Sequence, residues 1–204
     1  MSNGAPYPVD FIVPVDDEER NRGLAALGVI VFVKAILLLP HLILLFLYGV
    51  AVQVVVWIGY WYILFTGGTP PWVENLEMIF LEWTSRVFAW FTSTTDVYPT
   101  FGTDENHPAQ VTVVKAAVPQ SRLLALAGIL LIRSLLAFPH IFILGWLTVG
   151  TLFLTWFGYL MILITGALPL SLHYYFIGFH RWWARAWAWI AGLTDEYPPF
   201  TLKL

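Results

Sequence analysis

Lys34-Ala-Ile-Leu-Leu-Leu-Pro40-His41 and its echo Arg133-Ser-Leu-Leu-Ala-Phe-Pro139-His140 decide how this chain is read. Each run lies inside a long apolar stretch, Gly23–Thr66 and Leu123–Thr165, and neither stretch contains Asp or Glu. As one straight helix, each would extend about 65 Å, twice the ~30 Å hydrocarbon core of a bilayer. Each must fold back or bend. Proline removes a backbone donor and disfavours helix in the residue before it, so Leu39-Pro40-His41 and Phe138-Pro139-His140 are the natural breaks. The segments on either side are long enough to cross, which predicts a transmembrane helical hairpin per unit and four crossings. A competing reading makes the proline a kink, with one segment crossing and the other lying along the surface. Hairpins give parallel repeats, and single crossings give inverted ones.

Working outward, the two halves align without a gap from Lys34 to Phe101 at an offset of 99 residues. Lys34 meets Arg133, Trp57 meets Trp156, Gly59-Tyr60 meets Gly158-Tyr159, and Thr66-Gly67 meets Thr165-Gly166. Arg86 meets Arg185 and Trp90 meets Trp189, and the units close on Asp96-Val-Tyr-Pro-Thr-Phe101 and Asp195-Glu-Tyr-Pro-Pro-Phe200. Shared composition does not place Pro-His, Thr-Gly and Asp-x-Tyr-Pro at one offset, so the chain reads as an internal duplication.

Composition agrees with a membrane setting. Hydrophobic residues make up 59% of the 204 and charged residues 11%, against about 25% charged in soluble domains. Eleven Trp, nine Tyr and fifteen Phe suit extensive membrane interfaces. The absence of Cys excludes disulfides and thiolate metal sites. A net charge of −3 gives no case for nucleic acid as a partner.

The Gly/Pro breaks Thr66-Gly-Gly-Thr-Pro-Pro71 and Thr165-Gly-Ala-Leu-Pro169 end the apolar stretches. Trp72–Ser93 and Ser171–Gly192 follow, mixing charge with aromatics at helical spacing. Each reads as an amphipathic helix in the headgroup plane. Val9–Val15 and Ala109–Lys115 are rich in β-branched residues and read as short extended segments at the cytoplasmic face. The expected fold is therefore all-α integral membrane, in two tandem repeats. A polar N-terminal segment covers 1–22, repeat 1 covers 23–102, a linker with a short strand covers 103–118, and repeat 2 covers 119–204. The expected helices are about 17–39, 41–66 and 72–93, then 120–138, 140–165 and 171–192.

Basic residues cluster outside the apolar stretches, on what the hairpin arrangement makes one side, and the positive-inside rule calls that side cytoplasmic. The expected location is a bacterial inner membrane, multi-pass, with both termini cytoplasmic. Lys34 and Arg133 are the exceptions, and snorkelling toward the far headgroups accounts for them.

At this point the residues resemble a bacterial membrane family known as DUF4389. The resemblance rests on Phe32–Leu45 with its basic residue and Leu-Pro-His, on Ile63-Leu-Phe-Thr-Gly67 before proline, on Arg86 and Trp90, and on the closing Tyr-Pro-x-Phe. Arg133, Phe138-Pro-His140, Ile162–Gly166 and Asp195–Phe200 repeat it. The resemblance implies a membrane protein and no assigned chemistry.

His41 and His140 are the sharpest candidate pair, since equivalent histidines in a duplicated membrane unit can ligate haem iron or a chlorophyll-type magnesium. The plain alternative is a histidine that caps its own turn. Lys34, Arg133, Trp83, Arg86, Trp90, Arg181, Trp182, Arg185 and Trp189 are the expected contacts to lipid or to partner subunits. No hydrolase elbow, phosphate loop, dinucleotide fingerprint or metal-ligand spacing appears, which points away from an enzyme. The expected role is a non-catalytic accessory or scaffold subunit among membrane lipids and other membrane subunits. A solute or ion transporter, or a tetrapyrrole-binding subunit using His41 and His140, are the alternatives.

Overall fold

The computed structural model describes residues 7–15, 19–30, 33–114 and 119–203. The start of the expected helix 17–39, residues 31–32 and the end of the second extended segment at Lys115 lie outside them. In chain order the elements are β1 (Val9–Ile12), α1 (Arg22–Val29), α2 (Val33–Leu37), α3 (Leu39–Thr66), α4 (Pro71–Phe91), β2 (Gln110–Val113), α5 (Arg122–Ile129), α6 (Ile132–Leu136), α7 (Phe138–Thr165) and α8 (Leu170–Ala191). There are two helix-rich repeats, and each contains one apolar helix long enough to span a membrane.

The expected helices 17–39 and 120–138 are each replaced by two short ones. Asn21 starts α1 by accepting from the Gly23 and Leu24 amides, and Ser121 starts α5 by accepting from Leu124 N, as N-caps do. α1 then ends at Ile30, whose backbone is extended. α5 ends before Leu131, which adopts a left-handed conformation at φ 60°. α1 and α5 correspond at an offset of 100 rather than 99, so the first repeat carries one extra residue in this connection.

The proline is not the point of fold-back. Pro40 and Pro139 sit in the first turn of α3 and α7, where no intrahelical N–H bond is required and the fixed φ suits the helix. Each long helix is 28 residues in all and runs on past its proline to Thr66 or Thr165. Chain reversal comes at the other end, where Gly67 and Gly166 take φ 83° and 85°, values that favour glycine. α4 then returns antiparallel along α3. Val73 and Glu77 face Gly59, Phe80 faces Gly49, and Trp83 reaches His41 near the start of α3. The expected amphipathic helices are thus paired helices. α8 in particular carries Phe176, Trp182, Ala184 and Trp189 in the interior.

α4 and α8 cross antiparallel at the centre. Phe80 packs on Trp187 with centroids 4.8 Å apart, and Phe88 packs on Phe179 at 5.8 Å. Phe80 is equivalent to Phe179 and Phe88 to Trp187, so the two contacts exchange under a pseudo-two-fold axis. β1 pairs antiparallel with β2, Val9 opposite Val113 and Phe11 opposite Val111. The ribbon buries Val9, Phe11 and Val111 against Leu81, Ala89, Ile177 and Ala184 of α4 and α8.

The repeats are interlocked. α1 packs on α7 of the other repeat, and α5 packs on α3. The Arg20 amide donates to Gly166 O at 2.8 Å, and the Gln120 amide donates to Gly67 O at 3.0 Å.

α3 and α7 turn apolar side chains outward. Phe46 and Phe65 are each 71% exposed and Trp146 is 69% exposed. Only 22% and 28% of their most apolar segments is buried. The core helix of a soluble protein shows the reverse, and exposed apolar surface on this scale marks a membrane-associated protein.

Candidate functional site: two enclosed cations and two histidine–tryptophan pairs

Lys34 lies on α2 and is 1% exposed. Its Nζ donates to Ser93 Oγ at 2.8 Å. It sits 4.6 Å from the Trp90 ring centre and 4.9 Å from that of Tyr159. Trp90 belongs to its own repeat and Tyr159 to the other. Desolvation pushes the Lys34 amine down to about 7, against a smaller upward pull from Asp96.

Arg133 on α6 is the counterpart, fully buried. Its Nη2 donates to Thr194 O, and its Nη1 is 3.5 Å from Asp195 Oδ1. Its guanidinium lies 4.8 Å from the Trp189 ring centre and 5.7 Å from Tyr60. Desolvation lowers its pKa too, but a guanidinium stays protonated. Each aromatic cage closes across the repeats, because the Tyr60 hydroxyl donates to Ile190 O and the Tyr159 hydroxyl donates to Phe91 O. The carboxylates that serve these cations also hold the arms. Asp96 accepts from the Asn21 amide at 2.6 Å, and Asp195 accepts from the Ser121 amide at 2.5 Å. Snorkelling to far headgroups is therefore replaced by inward capture. Short α2 and α6 do not carry their basic residue up a spanning helix.

The second repeating element is a histidine boxed by aromatics. Trp83 Nε1 donates to His41 Nδ1, and Trp182 Nε1 donates to His140 Nδ1, both at 2.9 Å. His41 stacks on Phe101 at 4.1 Å and His140 on Phe200 at 3.8 Å. Both histidines are fully buried. An indole N–H only donates, so each Nδ1 is the acceptor and the hydrogen of a neutral ring resides on Nε2. A metal-bound histidine needs the reverse, one free lone pair and a donating second nitrogen. Neither ring offers that, so this arrangement does not favour the tetrapyrrole reading. Among the described residues no group of three or more His, Asp or Glu is arranged to hold a metal.

The remaining expected lipid and partner contacts are interior as well. Trp83, Trp90, Trp182 and Trp189 are buried, as are Arg86 and Arg181. Arg86 donates to Gly102 O and to Asp104 O. Arg181 pairs with Asp10 and donates to Phe11 O. Arg185, half-buried, donates to Val9 O at 3.0 Å. These arginines hold the ribbon and its loop, whose carbonyls need donors. The outward aromatics are others, Trp57, Trp61, Phe65 and Trp72 near the α3–α4 turn among them.

Two polar residues escaped the sequence reading. Glu77 of α4 is fully buried, and neither carboxylate oxygen has a hydrogen-bond partner among the described residues. Burial, with Glu74 nearby, pushes its carboxyl up to about 8, against the opposing pull of Arg133. Its equivalent in the second repeat is Phe176, and there the equivalent cation is Lys34, which can discharge where Arg133 cannot. The mismatch of Glu with Phe at the 99 offset was the available signal. Gln53, mid-way along α3, is exposed among apolar neighbours and lines a cavity of about 430 Å³ with Trp183 and Trp187.

The model of a family described as domain of unknown function (DUF4389) matches residues 29–102 and again 129–201. No curated protein and no solved structure matches the chain.

Proposed function

The chain belongs to the DUF4389 family, with one copy in each half, and we propose that it is a non-catalytic scaffold or accessory subunit of a larger assembly in a bacterial cytoplasmic membrane. One observation carries this reading. The chain's interior cations and histidines are enclosed by its own rings and carbonyls, while its outer helices present apolar side chains. Polar chemistry is spent inward on holding two interlocked repeats together. The outward surface is left to lipid and to neighbouring subunits. Arg86, Arg181 and Arg185 gather on the ribbon side, which on this proposal is the cytoplasmic one.

Extraction in a mild detergent tests the proposal directly. Other membrane proteins are expected to co-purify in constant ratio. A chain that runs alone at every detergent concentration, and carries a solute or ion into liposomes, would replace the scaffold with a transporter. A visible absorption band after extraction would restore a pigment-binding role for His41 and His140.

A further inference from the structure

The length of α3 and α7 suggests crossing the membrane, but the direction in which they run does not. β1 lies alongside α8 rather than at its end. Arg185 donates to Val9 O and Arg181 donates to Phe11 O, so two residues along the strand match four residues back along the helix. Those are nearly equal lengths, about 7 Å and 6 Å. α8 is antiparallel to α4 through the Phe80–Trp187 and Phe88–Phe179 pairs, and α4 is antiparallel to α3. The ribbon and the helices therefore share one rough direction.

If that direction were the membrane normal, the ribbon would stand in hydrocarbon. Arg181 sits near the midpoint of α8, and its partner Asp10 has a side chain 40% exposed. Glu105 and Asn106 are exposed in the loop that Arg86 holds beside α4. A two-stranded ribbon also leaves open edges. Hydrocarbon tolerates neither exposed carboxylates nor unpaired strand edges. Both ends of α3 are, moreover, tied to segments that lead into the ribbon. Leu37 O accepts from the Tyr98 hydroxyl, and Gly67 O accepts from the Gln120 amide. Gly166 with Arg20 repeats this for one end of α7, and at the other end Leu136 O accepts from Tyr197, whose neighbour Glu196 accepts at its backbone oxygen from the Tyr7 hydroxyl just before β1.

We infer that the chain is monotopic. It inserts into one leaflet from one face, α3 and α7 lie embedded beneath the α4–α8 pair, the pseudo-two-fold axis follows the membrane normal, and the ribbon stays in water. The occupant of the apolar face is the acyl region of that leaflet. Both the four crossings and the two crossings allowed by the sequence give way to none. The inference rests on the membrane association above and not on the scaffold role, so a lone chain in detergent would leave it standing.

The chain has no cysteine, which makes single-site labelling clean. Gly68 and Ala167 lie in the turns after α3 and α7, and Glu105 lies in the ribbon loop. A Cβ on Gly68 meets nothing within 4 Å. Gly68→Cys, Ala167→Cys and Glu105→Cys are made singly and treated with a membrane-impermeant maleimide in right-side-out and inverted vesicles. All three are expected to react from the same face, with no reaction from the other until detergent opens the vesicles. Reaction of Gly68→Cys and Glu105→Cys from opposite faces would overturn the inference. So would turns shielded from both faces until detergent is added.

Discussion

Gly28 lies flat beneath the ring of Tyr159, so close that a Cβ on it would stand 2.4 Å from the ring, and Gly128 meets Tyr60 in the same way. Each pair joins an arm of one repeat to the long helix of the other. The absent side chain admits the tyrosine, and the tyrosine then closes the cage around a buried cation. Gly28→Ala and Gly128→Ala force a carbon into this contact and are expected to cost about 1–3 kcal/mol each. Thermal unfolding in detergent should show a lowered Tm for either. The tyrosine-to-alanine change at the facing position should recover part of the loss in a double-mutant cycle.

Lys34 predicts a pH dependence of stability. Its folded value of about 7 lies below the 10.5 of the free side chain. A group lowered on folding contributes most above its unfolded value. That contribution shrinks as pH falls from about 10.5 toward 7 and is flat below. Each unit of the gap corresponds to about 1.4 kcal/mol. The Tm of the wild type, relative to Lys34→Met, should therefore rise from pH 7 to pH 10. A difference that is constant over this range would contradict the enclosure of the amine.

The histidine–tryptophan pairs predict an asymmetry between single and double changes. Trp83→Phe leaves His41 Nδ1 buried without its donor, at a cost of about 1–3 kcal/mol beyond the change in packing. Adding His41→Leu removes the orphaned acceptor and should restore much of the loss. Trp182 and His140 should respond alike. Chemical denaturation of the four proteins in each cycle measures it.

Glu77 predicts compensation between repeats. Burial pushes the Glu77 carboxyl up to about 8, against the pull of Arg133, so above that pH Glu77→Phe, which copies the second repeat, should destabilise the chain, because Arg133 then loses a nearby anion and cannot discharge. Arg133→Lys copies the first repeat and should relieve that penalty when combined with Glu77→Phe. Additive losses in the double variant would show that the carboxyl and the guanidinium do not answer to one another.

Much of this architecture was legible in the sequence. The duplication follows from matched Lys34/Arg133, Pro-His and Asp-x-Tyr-Pro positions. The limits of α4 and α8 follow from the Gly/Pro breaks and helical spacing to within two residues. The role of Pro40 was not legible, because a proline reads alike at the first turn of a helix and at a break between two. The interlock was hidden for another reason. Gly28 and Tyr159 are 131 positions apart in sequence, and nothing local to either reveals the partner. The tryptophans misled because their amphipathic character suits a headgroup layer and a buried histidine equally well. Trp83 and Trp182 had a partner of their own in His41 and His140.

The central claim is that α3 meets lipid on its outer side while the polar groups of the fold are sealed within. Nitroxide labels placed singly at Phe46, Val50, Val54 and Trp57, all exposed, and at Leu45, Val52 and Val56, all buried, test it in reconstituted bilayers. Oxygen should relax the first set strongly, a water-soluble nickel chelate should not, and the second set should respond to neither. Strong relaxation of the first set by the nickel chelate would place this face in water and contradict the account.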